Sequence, residues 1–115
     1  MLKYLAISAC LACAFVCAAA AEDVVTFYMY GMGHKSCAYW QSSQATLYEG
    51  NSWIFGYWSG ANAFNDQNHM VGHMVGSKTD GNGIIAEVKK VCAGRPSMSV
   101  SDATLAVFEM LAQGK

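Results

Sequence analysis

The sequence predicts a small all-α domain: four orthogonally packed helices, clamped by one disulfide and preceded by a cleaved signal peptide. Three observations predict this fold class. Apolar residues recur at helical spacing in four segments of the chain. Two cysteines, Cys37 and Cys92, remain after an N-terminal leader is removed. Glycine, proline and asparagine separate the segments where helices usually end.

Residues 1–21 have the composition of an export signal. Lys3 gives a positive start, an apolar run covers 5–17, and small residues form a cleavage site. The run is shorter than the about 20 apolar residues that a membrane-spanning helix needs, and every later apolar stretch is interrupted. We therefore expect a periplasmic or secreted protein without stable membrane insertion. Lipidation at Cys10 is the alternative to simple cleavage.

Removing the leader also removes three of the five cysteines and leaves Cys37 and Cys92. In an oxidising compartment two such cysteines in a small domain normally pair. The closed loop is long, so the chain-entropy model gives a stabilisation of roughly 3 to 4.5 kcal/mol. The alternative is a pair of buried free thiols.

Charge and motifs exclude several functions. Seven Lys and Arg face eight Asp and Glu, and no basic face or run indicates nucleic-acid binding. The stretch Gly31 to Ser36 superficially resembles a phosphate-binding loop but lacks its spacing. No nucleophile, base and acid constellation has a recognisable context. We therefore expect no enzyme, no catalytic residue and no cofactor.

The first helix follows a glycine-rich arm, residues 22–36, which we expect to be extended or a short edge strand. Ser36 is a predicted N-cap, and the helix should run from Cys37 to about Tyr48. The helical domain would thus occupy residues 37–115. A break is predicted at 50–52, where glycine, asparagine and serine follow one another.

The second predicted helix, about Trp53 to Asn65, combines aromatic rings with two glycines. A buried stripe is predicted at Trp53 or Ile54, Tyr57, Ala61 and Phe64. Gly56 and Gly60 fall on an adjacent line, and glycine inside a helix costs roughly 1 kcal/mol relative to alanine. We therefore predict that another helix or a ring approaches these glycines closely. The candidate helix-packing motif comprises Trp53, Gly56, Tyr57, Gly60 and Asn62.

Residues 66–82 are rich in glycine, asparagine and aspartate and predict a long connection. The tetrapeptide His-Met-Val-Gly occurs twice there, beginning at His69 and at His73. In a helix, histidines at i and i+4 beside methionines can bind copper or zinc. Glycines disfavour such a helix, and the nearest further donors, Met29, Met32 and His34, would have to be supplied by the fold. A plain loop is the favoured interpretation, with His69 and His73 as the metal candidates.

The last two helices have the clearest patterns. The third should start after 80–83 and end at Cys92 or Ala93, because Gly94 stops it and Pro96 prevents its resumption. Its apolar face is Ile84, Ile85, Val88, Val91 and Cys92. The fourth should begin at Ser99, an N-cap with Asp102 three residues later. Its apolar face is Val100, Ala103, Val107, Met110 and Leu111.

These pieces together resemble the HdeA/HdeB acid-stress chaperones, which are small periplasmic proteins. The matching parts are Cys37, the segment Trp53 to Asn62, Asp80 to Ile84, Cys92 and Pro96. The resemblance implies an all-helical, single-disulfide fold without a cofactor, which loosens in acid and holds unfolded client proteins. It also leaves a homodimer open. This chain has fewer charged residues than those chaperones, and its second helix is richer in glycine and aromatic rings.

A second resemblance is to small helical immunity proteins that inhibit type VI secretion amidases. They share a glycine-tyrosine helix, a disulfide and a proline before the final helix. Those proteins usually carry an additional cysteine near that helix, and this chain has none there. The connection from His69 to Gly76 would then plug the groove of the enzyme. Under both resemblances the partner is another protein.

Overall fold

The computed structural model describes residues 28–68 and 70–114 of the chain. Its helices are a 3-10 turn, Gly31–His34, followed by α1 (Cys37–Trp40), α2 (Gln44–Asn68), α3 (Gly81–Gly94) and α4 (Val100–Ala112). The predicted all-α, four-helix class with one disulfide is confirmed. The predicted signal peptide, residues 1–21, and the first part of the arm lie outside the described residues.

The described part of the arm packs onto the domain as a 3-10 turn. Tyr30 is extended, and Gly31 then turns the chain with a φ of 66°, a value that favours glycine. The turn carries Met32 into the core, where it is 2% exposed. The arm is therefore part of the folded unit from Tyr30 onward, where its carbonyl accepts from the Trp53 indole. The chain forms a 3-10 turn at Gly31–His34, and not the predicted alternative of an edge strand.

The boundary between the first two helices lies earlier than predicted. Ser36 caps α1 as expected, its Oγ accepting from the Tyr39 amide at 3.1 Å, but α1 already ends at Trp40. Ser43 and Thr46 then cap each other, because each hydroxyl accepts from the amide of the other at 3.1 Å. The predicted break at 50–52 is wrong, and these residues lie inside the continuous helix α2.

The buried side of α2 differs from the predicted stripe. The buried residues are Gly50, Ile54, Trp58, Asn62 and Asn65. Trp53, Tyr57 and Ala61 are half-buried at its edge, whereas Phe64 is 60% exposed. Of the two starting points that the spacing allowed, Ile54 is the correct one, because the line through Ile54 also passes through Gly50, on which a ring packs.

Helices α3 and α4 follow the predicted pattern. Asp80 caps α3, its Oδ1 accepting from the Gly83 amide at 2.8 Å, so the helix begins at Gly81 and includes the glycines that were predicted to precede it. Ser99 caps α4, its Oγ accepting from the Asp102 amide at 3.0 Å. The predicted apolar faces are buried or half-buried along their whole length.

The disulfide between Cys37 and Cys92 joins α1 to α3, with the two Cα atoms 5.4 Å apart and both side chains buried. Backbone hydrogen bonds strengthen the same end of the domain. The Cys37 amide donates to the Met98 carbonyl at 2.8 Å, and the Val100 amide donates to the Lys35 carbonyl at 2.9 Å. These bonds place the first turn of α1 beside the first turn of α4.

Candidate functional site

Three tryptophans organise the core, each by packing its indole on a glycine. Trp53 lies on Gly33, Trp40 on Gly50 and Trp58 on Gly76, so a Cβ added at any of the three glycines would crowd the ring. Each indole N–H also donates to a carbonyl. The acceptors are Tyr30 for Trp53 at 2.9 Å, Leu47 for Trp40 at 3.3 Å and Val75 for Trp58 at 2.9 Å. Each of the three rings thus has both an apolar contact and a satisfied donor.

Gly56 and Gly60 have no such partner among the described residues. Nothing lies within 4 Å of the position that a Cβ would take at either glycine, and both are exposed. The predicted close approach at Gly56 and Gly60 is therefore wrong within the described structure. The reason is rotational: the buried line of α2 passes through Ile54 and Trp58, which places both glycines on the solvent side of the helix.

The solvent side of α2 carries no charged residue between Glu49 and Asp66. We call it the open face; its exposed residues are Tyr48, Ser52, Phe55, Gly56, Ser59, Gly60 and Ala63. Tyr48 is 66% exposed and Phe55 is 39% exposed. Ser59 donates to the Phe55 carbonyl at 2.8 Å, which satisfies its hydroxyl within the helix. The charged residues of α2 are Glu49 and Asp66, near its two ends.

A buried asparagine fixes the loop after α2. Asn62 is 7% exposed and makes two bonds to Val75: its Nδ2 donates to the Val75 carbonyl and its Oδ1 accepts from the Val75 amide, both at 2.9 Å. The Trp58 indole donates to the same carbonyl. Asn62 belongs to the predicted packing motif, but its bonds to Val75 were not predicted. The available signal was a polar residue four positions after Trp58, on the buried line.

The histidine-methionine repeat is not helical in its described part, residues 70–76. His73 is exposed, and Met70 and Met74 are 67% and 49% exposed. The described residues contain no group of three or more histidine, cysteine or acidic side chains that could hold a metal ion. His69 lies outside the described residues. The helical i and i+4 geometry on which the metal hypothesis depended is therefore absent from the described part of the repeat.

An open cavity of about 520 Å³ lies between this loop and the end of α4. The loop contributes Met74, Gly76 and Lys78 to its lining, and α4 contributes Leu111. Because Val75 is buried and held by Asn62 and Trp58, the loop wall of the cavity is fixed to the core. The loop was predicted from its glycine, asparagine and aspartate content, whereas the cavity was not predicted.

One titratable group has a shifted pKa. Burial, and next the negative charge of Glu109, raise the pKa of the Tyr57 hydroxyl above its ordinary value of 10.0. Tyr57 also stacks on Trp53, with ring centroids 5.5 Å apart. The shift reflects partial burial of the ring at the edge of the core and gives Tyr57 no role in proton transfer near neutral pH.

Within residues 28–68 and 70–114, no helix is both long and apolar enough to span a membrane. Comparison of the chain with protein-family models, with curated proteins and with solved structures found no match. Two features of the described residues have the properties of a binding surface. These are the open face of α2 and the cavity beside residues 73–79.

Proposed function

We propose that this protein is a non-enzymatic, exported binder of other proteins, and that it holds apolar segments of unfolded clients in the periplasm during acid stress. This is the activity that its resemblance to the HdeA-like chaperones implies. The observation that carries the proposal is the open face of α2, an exposed helix side that is uncharged between Glu49 and Asp66 and carries the rings of Tyr48 and Phe55.

The composition of the open face suits contact with irregular apolar chains. Exposed apolar patches on soluble domains often mark interaction sites. Gly56 and Gly60 leave the backbone of α2 open to close approach, because nothing described lies within 4 Å of their Cβ positions. Tyr48 and Phe55 add broad rings beside them, and such rings contribute much of the binding free energy at protein interfaces.

Acid would extend this uncharged surface. The charges of α2 are the carboxylates of Glu49 and Asp66, and the helix contains no lysine or arginine. Strong acid protonates carboxylates, so the whole of α2 then becomes neutral. The lysines and the arginine of the other segments keep their charge and oppose aggregation of the protein itself. Client binding should therefore be stronger in acid than at neutral pH.

Light scattering tests this proposal directly. A model periplasmic protein is unfolded in acid, with and without equimolar disulfide-bonded protein, and the experiment is repeated at neutral pH with a thermally unfolded client. We expect aggregation to be suppressed in acid and much less at neutral pH. Equal suppression at both pH values would contradict the acid dependence, and no suppression at either would contradict the chaperone function.

A different feature favours a second function, inhibition of a type VI secretion amidase. Met70 and Met74 project from the loop 70–79, whereas Val75 in the same loop is held to the core by Asn62. A loop that is anchored at one point and exposed on either side suits insertion into an enzyme groove. The test is size-exclusion chromatography with an amidase encoded beside this gene. A stoichiometric complex would favour the immunity function, and separate elution would exclude that amidase as the target.

A further inference from the structure

We infer that the cavity between residues 73–79 and the end of α4 is a binding site for a small apolar molecule with one anionic group, such as a medium-chain carboxylate. The inference is independent of the chaperone proposal, because it concerns a different surface and is tested without any client protein. Its volume of about 520 Å³ lies within the range of small-molecule sites, about 300 to 1,000 Å³.

The cavity wall is preformed. Gly76 has a φ of 85°, which turns the chain sharply, and the Trp58 ring packs directly on it. The neighbouring Val75 is 2% exposed and held by three hydrogen bonds of 2.9 Å from Asn62 and Trp58. A wall that is already ordered requires little loss of conformational freedom when a ligand binds, and this favours affinity.

One part of the cavity lining is apolar and the other part is polar. Leu111 and Met74 provide aliphatic and thioether surface, and methionine adapts its shape to an apolar ligand. Ser77 and Lys78 are consecutive along the other part of the lining and offer a hydroxyl and an ammonium group. Such donors bind a carboxylate well, because hydrogen bonds to a charged acceptor are stronger than neutral ones.

The charge of the lining selects an anion over a cation. Lys78 lines the cavity, whereas no aspartate or glutamate does so among the described residues. Within the described part of the chain, the one ion pair joins Lys90 to Glu87 on α3, so Lys78 has no carboxylate partner there. An incoming anionic group would supply one. The cavity therefore fits an aliphatic chain against Leu111 with its anionic end at Lys78.

Isothermal titration calorimetry with three probes of equal chain length tests the inference. Decanoate, decan-1-ol and decyltrimethylammonium, each below its micelle concentration, are titrated into the disulfide-bonded protein at neutral pH. We expect decanoate to bind about tenfold more tightly than decyltrimethylammonium, the factor that a charge-assisted hydrogen bond of ordinary strength gives. Decan-1-ol should fall between them. Equal affinities for all three, or no binding of decanoate, would overturn the inference.

Two variants and a control locate the site. Lys78→Glu should weaken decanoate binding by at least the same factor of about ten, whereas Lys89→Glu, a matched change on α3, should leave it unchanged. Ser77→Trp places a large ring at the cavity from an exposed turn position, and should abolish decanoate binding without lowering the melting temperature. Retained affinity in both Lys78→Glu and Ser77→Trp would show that decanoate binds elsewhere and would overturn the assignment.

Discussion

Glycine occurs on both sides of α2, but its surroundings on the two sides are opposite. On the buried side, Gly50 lies under the Trp40 indole, and the absence of a side chain allows the contact. On the open face, no described residue of another segment lies within 4 Å of the Cβ position of Gly56 or Gly60. A glycine inside a helix therefore indicates either a close packing contact or an unfilled surface, and the rotation of the helix decides between them. The buried side accounts for stability, and the open face is the proposed binding surface.

The largest expected effect comes from breaking the disulfide, since α1 and α3 form part of the surface on which the buried side of α2 packs. A Cys37→Ser, Cys92→Ser double variant should lose about 4 kcal/mol of unfolding free energy, by the loop-closure model. Urea unfolding monitored by circular dichroism measures the loss. A difference below about 1 kcal/mol would show that the bond does not constrain the unfolded chain as this model requires.

A methyl group at Gly50 should distinguish the two sides of α2 most sharply. Gly50→Ala places a Cβ against the fully buried Trp40 ring, so we expect a loss of about 2 to 3 kcal/mol, as for other overpacked cores. Thermal unfolding of Gly50→Ala and wild type measures the change. A Gly50→Ala variant as stable as wild type would mean that Trp40 does not pack on this side of α2.

Replacing Asn62 tests whether the buried side of α2 also holds the loop 70–79. Asn62→Ala removes both of its hydrogen bonds to Val75 and leaves the buried Val75 amide without its partner, a loss of about 1 to 3 kcal/mol. Hydrogen exchange at the Val75 amide should accelerate together with the stability loss. The matched control is Asn68→Ala near the exposed end of α2, where exchange at Val75 should stay slow.

Alanine substitutions on the open face should raise the stability of the protein, whereas Gly50→Ala should lower it. Gly56→Ala and Gly60→Ala add methyl groups that meet no described atom, and each should raise stability by about 0.5 to 1 kcal/mol through helix propensity. The comparison with Gly50→Ala is internal, because all three changes are made in one helix. If Gly56→Ala is destabilising, the open face is already covered in solution.

The smallest effect concerns Tyr57, at the edge between the two sides. Its pKa is raised in the folded protein, so the unfolded chain loses this proton at lower pH than the folded protein does. Its contribution to stability is therefore fully present below pH 10.0, the ordinary value for tyrosine, and is lost as pH rises through the folded pKa. Unfolding free energy measured across this range should fall less steeply in Tyr57→Phe than in wild type.

Local signals in the sequence predicted one end of the domain well. The pairing of Cys37 with Cys92 followed from the cysteine count, and the caps at Ser36 and Ser99 followed from their side-chain chemistry. The apolar face of α3 followed from strict helical spacing. The caps and the apolar face of α3 depend on residues close in the sequence, and two cysteines can pair in only one way. The sequence alone was therefore sufficient to predict them.

Features that depend on rotation and on distant contacts could not be predicted in the same way. The sequence allowed the buried line of α2 to begin at Trp53 or Ile54, and the predicted stripe through Tyr57, Ala61 and Phe64 placed Gly56 and Gly60 next to the core. The break predicted at 50–52 is wrong because Gly50 lies inside α2 with the ring of Trp40, from α1, packed on it. The link from Asn62 to Val75 and the cavity beside it depend on how the loop returns to α2, which periodicity does not specify.

The most direct test of the account compares a charged open face with an equally charged control. Gly56→Lys with Gly60→Lys places two charges on the open face that persist in acid, and Ala86→Lys with Ala93→Lys places two charges on the exposed side of α3. Light scattering of an acid-unfolded client then measures the protection given by each variant. The account predicts that the α2 variant loses most of its protection while the α3 variant keeps it. Equal protection by the two variants, with folding confirmed by circular dichroism, would contradict a binding function for the open face of α2.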